Sequence, residues 1–421
     1  MCAKRASTKS RALEIVRSHF DRASRARLAR VHVEDQAPTG EAITIDGEKL
    51  LNFGSCAYLG LNVDSRLKDA AIAAIEQYGP VYSSSTAYTS VDLYADLKDR
   101  LEQIFGGSVV VPTTTTLGHL SALPVLVGAD DLVLIDQQAH ASVHLATQVL
   151  RGDGIPVDMV RHSDVAQLAD RLDTDADRYE RVWYLAYGVY SMYGDFAPVK
   201  QIAALLGAYD NLHVYYDDAH GIGWRGVHGR GHVLHEMALN DRVVIAASLS
   251  KSFGTGGAVL VFSDPVVARD VQWLGATFTF SGPLHPAELG AAVASADIHL
   301  SSERDVLAAD LDRQMDFVRE LLISHKLPVR SLAKTPIWNL RIGPYDNALE
   351  FASRLKDEGF YVNLAGFPAV PLREAGIRFT QTLYHSDDHL ERFVEAMARH
   401  VPELAVRPRG DVDLREARTL H

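Results

Sequence analysis

Two kinds of run alternate along most of the chain. Short, almost continuously apolar segments recur at residues 108–111, 132–135, 182–185, 214–216, 243–246 and 258–262. Strands covered on both faces read this way, because neither face can carry polar side chains to water. Between several of them the apolar spacing turns helical, as at 201–207 after Pro198. The alternation predicts an α/β fold, a mostly parallel sheet wrapped by helices. Such sheets gather ligands at the carboxyl ends of their strands, so the residues after each run are the first candidates for chemistry.

The pattern changes near residue 290. Residues 291–298 and 306–324 read as helices, 337–342, 361–363 and 377–380 as strands, and 348–358 and 388–400 again as helices. This predicts a smaller α+β domain at the carboxyl side. The expected division is an amino-terminal segment 1–60 packing with the small domain, a large domain 61–290, a small domain 291–401 and a tail 402–421. Leu13, Val16 and Phe20 recur at helical spacing, so the first residues are expected to form an amphipathic arm. Nine Lys and Arg against Glu14 and Asp21 in the first 30 residues leave an organelle transit peptide as the alternative.

Composition narrows the class. The 421 residues, 47% apolar and 23% charged, can bury a large core. Forty-two basic against 54 acidic residues leave a net charge of −12, which favours neither nucleic acid nor an anionic membrane. Cys2 and Cys56 cannot build a disulfide framework and fit a reducing compartment such as the cytoplasm. No apolar run approaches the roughly 20 residues of a membrane helix.

Four predicted strand ends carry unusual chemistry. Lys251 lies among small residues in Ser248-Leu249-Ser250-Lys251-Ser252-Phe253-Gly254. A lysine so placed can form a Schiff base with pyridoxal 5′-phosphate, PLP. Alone it could equally be a solvated loop residue. Asp217-Asp218-Ala219-His220-Gly221 follows the run 214–216; a carboxylate there can hold a pyridinium nitrogen protonated, and His220 could reach the ring's phenolate oxygen. A metal site or a turn-capping pair of acids are the competing readings of that segment. His140, after the run 132–135, offers a flat ring that could lie on a heteroaromatic one, or a structural hydrogen bond. Thr113-Thr114-Thr115-Thr116 precedes an apolar helical pattern, where hydroxyls and free amides can cup a phosphate; one threonine would suffice for a helix cap. No Walker loop is present, so nucleotide phosphoryl transfer has little support.

Together these segments resemble the α-oxoamine synthase family of fold-type-I PLP-dependent transferases, over about residues 51–393. The most specific stretch is Asp217-Asp218-Ala219-His220-Gly221-Ile222-Gly223 continuing to Gly229-Arg230-Gly231; Tyr58-Leu59-Gly60-Leu61 and Tyr190-Ser191-Met192-Tyr193-Gly194-Asp195 also match in order. The resemblance implies that Lys251 anchors PLP and moves the proton at the substrate α-carbon. It implies that Asp217 pairs with the pyridine nitrogen, His220 and Ser191 with the phenolate side, and that His140 stacks on the ring. Thr115, Thr116, Ser248 and Ser281 are the remaining cofactor-binding residues, Ser281 reaching the phosphate of a neighbouring subunit in a homodimer with shared sites. Arg378, in Ile377-Arg378-Phe379-Thr380, would grip the amino acid's carboxylate, a task suited to a bidentate guanidinium. No metal is expected. The implied reaction is a Claisen-type condensation of an amino acid with an acyl thioester, usually with loss of CO2, giving an α-amino ketone.

The chain departs from the family pattern in places. Threonines replace the Ser-Gly segment before the phosphate helix, Tyr187 stands where a glutamate is usual, Tyr193 replaces an aspartate, Ala139 an asparagine, and Cys56-Ala57 a polar pair. The glycine-rich stretch near Pro80 has become Val81-Tyr82-Ser83-Ser84-Ser85-Thr86-Ala87-Tyr88. Most of these lie where the family handles substrates, which suggests retained PLP binding with altered substrate choice, in specialised biosynthesis, with an acyl carrier protein as a candidate donor beside acyl-CoA. Aminotransferase or decarboxylase chemistry is the alternative activity. A non-catalytic partner subunit is a further alternative, and the presence of Lys251, Asp217 and His140 argues against it.

Overall fold

The structure is a computed structural model that describes residues 8–404. Its larger compact unit comprises residues 57–191 and 195–311. A seven-stranded sheet crosses it in the order Ser108–Val110, Ala258–Phe262, Val243–Ser248, Leu212–Asp217, Val182–Tyr187, Leu132–Asp136 and Val157–Val160. Ala258–Phe262 is antiparallel to both neighbours, and every other pairing is parallel. Six strands therefore point the same way, and their carboxyl ends share one edge.

The inner strands are buried at nearly every position, which is why they read as unbroken apolar runs. Alternation still assigns faces. Tyr184, Tyr216 and Ile245 join one core cluster, while Trp183, Tyr215 and Val244 join another that includes Ala122, Leu123 and Leu126 of the helix Thr115–Leu126. The edge strand Val157–Val160 was not predicted. Its Asp158 and Met159 are exposed between buried valines, and Asp158 breaks the apolar run in the middle of the strand.

The smaller unit comprises residues 1–56, 192–194 and 312–421, of which the structure describes those from 8 to 404. One three-stranded sheet pairs Ala42–Ile45, Glu48–Asn52 and Phe360–Tyr361; the other pairs Ile337–Gly343, Ala375–Thr380 and Asn363–Ala365. The single strand expected at 361–363 is thus divided. Tyr361 pairs with Asn52 in one sheet, Asn363 pairs with Arg378 in the other, and buried Val362 is the crossing point.

The observed division differs from the expected boundaries. Residues 291–311 fall in the large unit because helix Pro286–Leu300 packs on Ser65–Tyr78 and Leu93–Phe105, with Gly290 seated against the backbone of Ala70. The amino-terminal helix Thr8–Arg25 leaves Leu13 and Phe20 about half exposed, at 57% and 50%. It is held instead by Ala23, and by His19 stacked at 3.6 Å on Tyr345. Pro402 belongs to the last turn of helix Asp387–Leu404, and the rest of the expected tail lies outside the described residues.

Candidate active site

The shared edge of the large sheet holds a cavity of about 390 Å³. Most of its lining comes from segments that follow a strand, as an α/β sheet dictates, and Gly256, Gly257 and Glu288 complete it. After Ser108–Val110 come Thr113 to Thr116, after Leu132–Asp136 His140, after Val182–Tyr187 Tyr187 itself, after Leu212–Asp217 Asp217 and His220, and after Val243–Ser248 Ser248 and Lys251. A larger cavity, about 470 Å³, lies where the chain enters strands Ser108–Val110 and Val243–Ser248, and it holds none of the predicted site residues.

The threonine run is a helix start. Thr114 is the N-cap of Thr115–Leu126, its hydroxyl accepting from the Leu117 amide at 3.2 Å. Capping uses that one hydroxyl. Thr115 and Thr116 then present the first-turn amides and two more hydroxyls to the cavity, a favourable setting for an anion. Thr113 turns away from this role and donates to the Gly282 carbonyl at 3.0 Å.

His140 is the N-cap of helix Ala141–Gly152. Its Nδ1 lies 2.6 Å from the Ser142 hydroxyl and accepts from the Ser142 amide at 3.3 Å, which fixes the plane of the ring. Burial, aided by the nearby Lys251 charge and opposed by Asp217, lowers its pKa below the ordinary histidine value. A neutral flat ring is thereby favoured. His220 is buried, with Nδ1 2.8 Å from the hydroxyl of Tyr58.

Asp217 is the charged floor. Burial alone would push its carboxyl up, but the contact with His119, followed by the charges of Lys251 and His140, outweighs burial and holds it below the usual range. Oδ1 accepts from the Ala219 amide at 3.1 Å, and Oδ2 lies 3.3 Å from His119 Nε2. Asp218, one residue on, behaves oppositely: burial pushes its pKa up to about 7 although Oδ2 accepts from the Val233 amide at 3.0 Å.

The structure thus brings together Lys251, His140, Asp217, His220, Thr115, Thr116 and Ser248 around one space. The Ser248 hydroxyl is already engaged with Ser250, at 2.8 Å. Ser191 stands behind Tyr187, their hydroxyls 3.3 Å apart, and is not among the lining residues. Ser281 follows the short helix Ala276–Phe280 and adjoins Gly282, the partner of Thr113, outside the lining as well. Arg378 belongs to the smaller unit, where it is buried on strand Ala375–Thr380 with Nη2 3.5 Å from Cys56 Sγ. Sequence reasoning missed Tyr58 as a partner of His220, Glu288 as a lining residue, and His119. The last gave no sign, because it lies inside a helix that reads as wholly apolar core.

The donor set fits PLP at three separated points. Lys251 offers an amine to a carbonyl, Asp217 a carboxylate held ionised for a ring nitrogen, and Thr115 with Thr116 a hydroxyl- and amide-rich helix start for a phosphate. Among the described residues no cluster of His, Cys, Asp or Glu is placed to hold a metal ion, and no helix is long and apolar enough to cross a membrane.

Comparison with known proteins gives the family and the fold. The family model for aminotransferase class I and II matches residues 48–397. An 8-amino-7-oxononanoate synthase of Beijerinckia indica is 32% identical over 90% of this chain and 95% of its own. A serine palmitoyltransferase of Bacteriovorax stolpii is 30% identical over 85% and 83%. Among solved structures, the Sphingomonas wittichii serine palmitoyltransferase superposes with a TM-score of 0.85 at 23% identity, covering 96% of this chain and all of its own.

Proposed function

The chain belongs to the α-oxoamine synthase branch of the aminotransferase class I and II family, and we propose that it is a PLP-dependent acyltransferase joining an amino acid to the acyl group of a thioester. The observation that carries the proposal is a single cavity lined by Lys251, an ionised Asp217 and a threonine-rich helix start. PLP, when bound, supplies an electron sink for negative charge at the amino acid's α-carbon.

The chain's own residues do the rest. Lys251 anchors the cofactor and then carries the proton that leaves the α-carbon, a role its amine can fill from the cavity wall. Asp217 stays charged in a buried site and so keeps the ring nitrogen protonated. His140, fixed by Ser142, would lie against the ring, and His220, braced by Tyr58, would serve the phenolate oxygen, with Ser191 held beside Tyr187. Thr115 and Thr116 take the phosphate, with Ser248 at the end of its strand. Arg378 is assigned the amino acid's carboxylate. The new carbon–carbon bond forms at the α-carbon, the thiol leaves, and CO2 follows.

The proposal includes a homodimer in which Ser281 serves the phosphate site of the other copy. Tyr88, Trp273, Leu274 and Phe280 support it: they are 81%, 68%, 69% and 87% exposed, apolar, and carried by segments near Ser281 that are cross-linked by hydrogen bonds from Ser85 to the Phe278 and Thr279 carbonyls. A cytoplasmic setting and an acyl carrier protein as donor belong to the same proposal, resting on cysteine usage and on the departures around Tyr187.

The test is thiol release from a panel of acyl-CoA and acyl-carrier thioesters, with each amino acid added in turn to PLP-loaded protein. The expected result is release that needs one amino acid and disappears in Lys251→Ala. Keto-acid formation without thiol release would replace the proposal with aminotransferase chemistry. Failure of the purified chain to take up PLP would return it to a non-catalytic partner.

A further inference from the structure

We propose that His119 is a positioning residue: braced by Tyr215, it holds the Asp217 carboxylate ionised and aimed for the ring nitrogen of PLP. The inference rests on the reading that PLP occupies the cavity. It assigns a task to a residue that the resemblance and the cavity lining both leave without one.

His119 is fully buried in the helix Thr115–Leu126, four residues into the segment whose start presents Thr115 and Thr116. A histidine there loses the solvation of both ring nitrogens and needs two partners. Nδ1 has one, the Tyr215 hydroxyl at 2.8 Å. Nε2 makes no aligned hydrogen bond and stands 3.3 Å from Asp217 Oδ2. Strand alternation explains the meeting: Tyr215 and Asp217 are two residues apart on one face of the sheet, the face that this helix covers.

The carboxylate selects the direction of the contact. Burial first, and then the charge of Asp217, push the Tyr215 hydroxyl well above its ordinary pKa, so it keeps its proton. Tyr215 can therefore donate to Nδ1. That tautomer puts the ring hydrogen on Nε2, 3.3 Å from the carboxylate though off the direct line to Oδ2, whereas the reverse arrangement would set a lone pair beside a negative charge. His119 is not among the residues that line the cavity. Lys251 and His140, which also favour the charged carboxylate, line it and are engaged by whatever occupies it. His119 alone of the three supports Asp217 from behind, and its support does not change as substrates come and go.

The experiment titrates full-length apo-protein with PLP and follows the absorption and induced circular dichroism of the bound cofactor. His119→Ala should weaken PLP binding about tenfold or more, the size of one hydrogen bond to a buried charge, and shift the absorption band. Tyr215→Phe should act in the same direction with a smaller effect, and His119→Gln, which keeps an N–H donor, should restore much of the affinity. In an Asp217→Asn background the His119→Ala change should cost little more, because the carboxylate it serves is gone. Wild-type affinity and spectrum in His119→Ala, or an undiminished loss in the Asp217→Asn background, would overturn the inference. Should His119→Ala fail to fold, Tyr215→Phe with unaltered affinity and spectrum overturns it equally. Wild-type protein that takes up no PLP would instead remove the reading on which it rests.

Discussion

Asp217 ends its strand and Asp218 follows it; both are buried, and they are driven in opposite directions. Asp217 faces the helix that carries His119 and opens on the cavity; its neighbours hold it below the ordinary carboxylate range. Asp218 faces the other side of the sheet, where it accepts from the Val233 amide and is hemmed in by backbone, with a pKa of about 7. A Cβ on Gly188 or Gly221 would overlap its Oδ1, and one on Gly231 its Oδ2. Nothing supports a charge on Asp218 as His119, Lys251 and His140 do on Asp217, although Arg225 acts weakly from a distance. One carboxylate is held charged at the cavity while its neighbour organises a turn. Residue type does not separate them, but surroundings do.

The largest expected break in this comparison is Asp217→Asn. Losing the charge that would keep the ring nitrogen protonated should lower turnover at least about a hundredfold, roughly 3 kcal/mol of barrier. Asp218→Asn, assayed beside it for thiol release, should stay within a few-fold of wild type. Equal losses in the two variants would erase the distinction.

Gly188→Ala addresses the cage around Asp218. The added methyl has no room beside Oδ1, and relief requires the strand end or the turn to shift. Thermal or denaturant melts should show a loss of about 1–3 kcal/mol. An unchanged melt would mean that the cage is loose.

The pH dependence sharpens the contrast further. Because the folded pKa of Asp218, about 7, lies above the unfolded carboxylate value, the folded state binds the extra proton. Its contribution is fully present below about pH 4 and is lost as the pH rises towards 7, by about 4 kcal/mol. Asp218→Asn should flatten that part of the stability profile, measured by denaturant melts at pH 5 and pH 8. Asp217, held low, has the opposite sign: its contribution is present above its unfolded pKa and lost on acidification below it.

The smallest effect separates capping from binding. Thr114→Ala should cost about 1 kcal/mol of stability through the lost N-cap. Thr115→Ala and Thr116→Ala should lower PLP affinity with less effect on the melt. If all three behave alike, the cap and the phosphate cup are not distinct.

The buried strands were legible because burial on both faces leaves only apolar side chains, and the chemistry was legible where a polar residue interrupts that run at its carboxyl end. Lys251, Asp217, His140 and the threonines are such interruptions. Other elements were less so. Val157–Val160 is broken by Asp158, and the hairpin of Ala42–Ile45 with Glu48–Asn52 was missed although Asp46-Gly47, with φ of 53° and 78°, is a two-residue turn signal. The split of 361–363 between two sheets has no local mark at all. His119 was invisible for a related reason: inside an apolar helix, a histidine announces neither its face nor its partner.

By itself the sequence determined the alternation of strands and helices, the edge at which polar groups would gather, and the residue types available there, since these follow from local pattern and chain order. Only the tertiary structure decided which of those groups share a cavity, which of two adjacent aspartates stays ionised, and what supports it from behind. Those outcomes depend on burial and on charges brought close by residues about a hundred positions away, as His119 is brought to Asp217, and no local pattern records such distances.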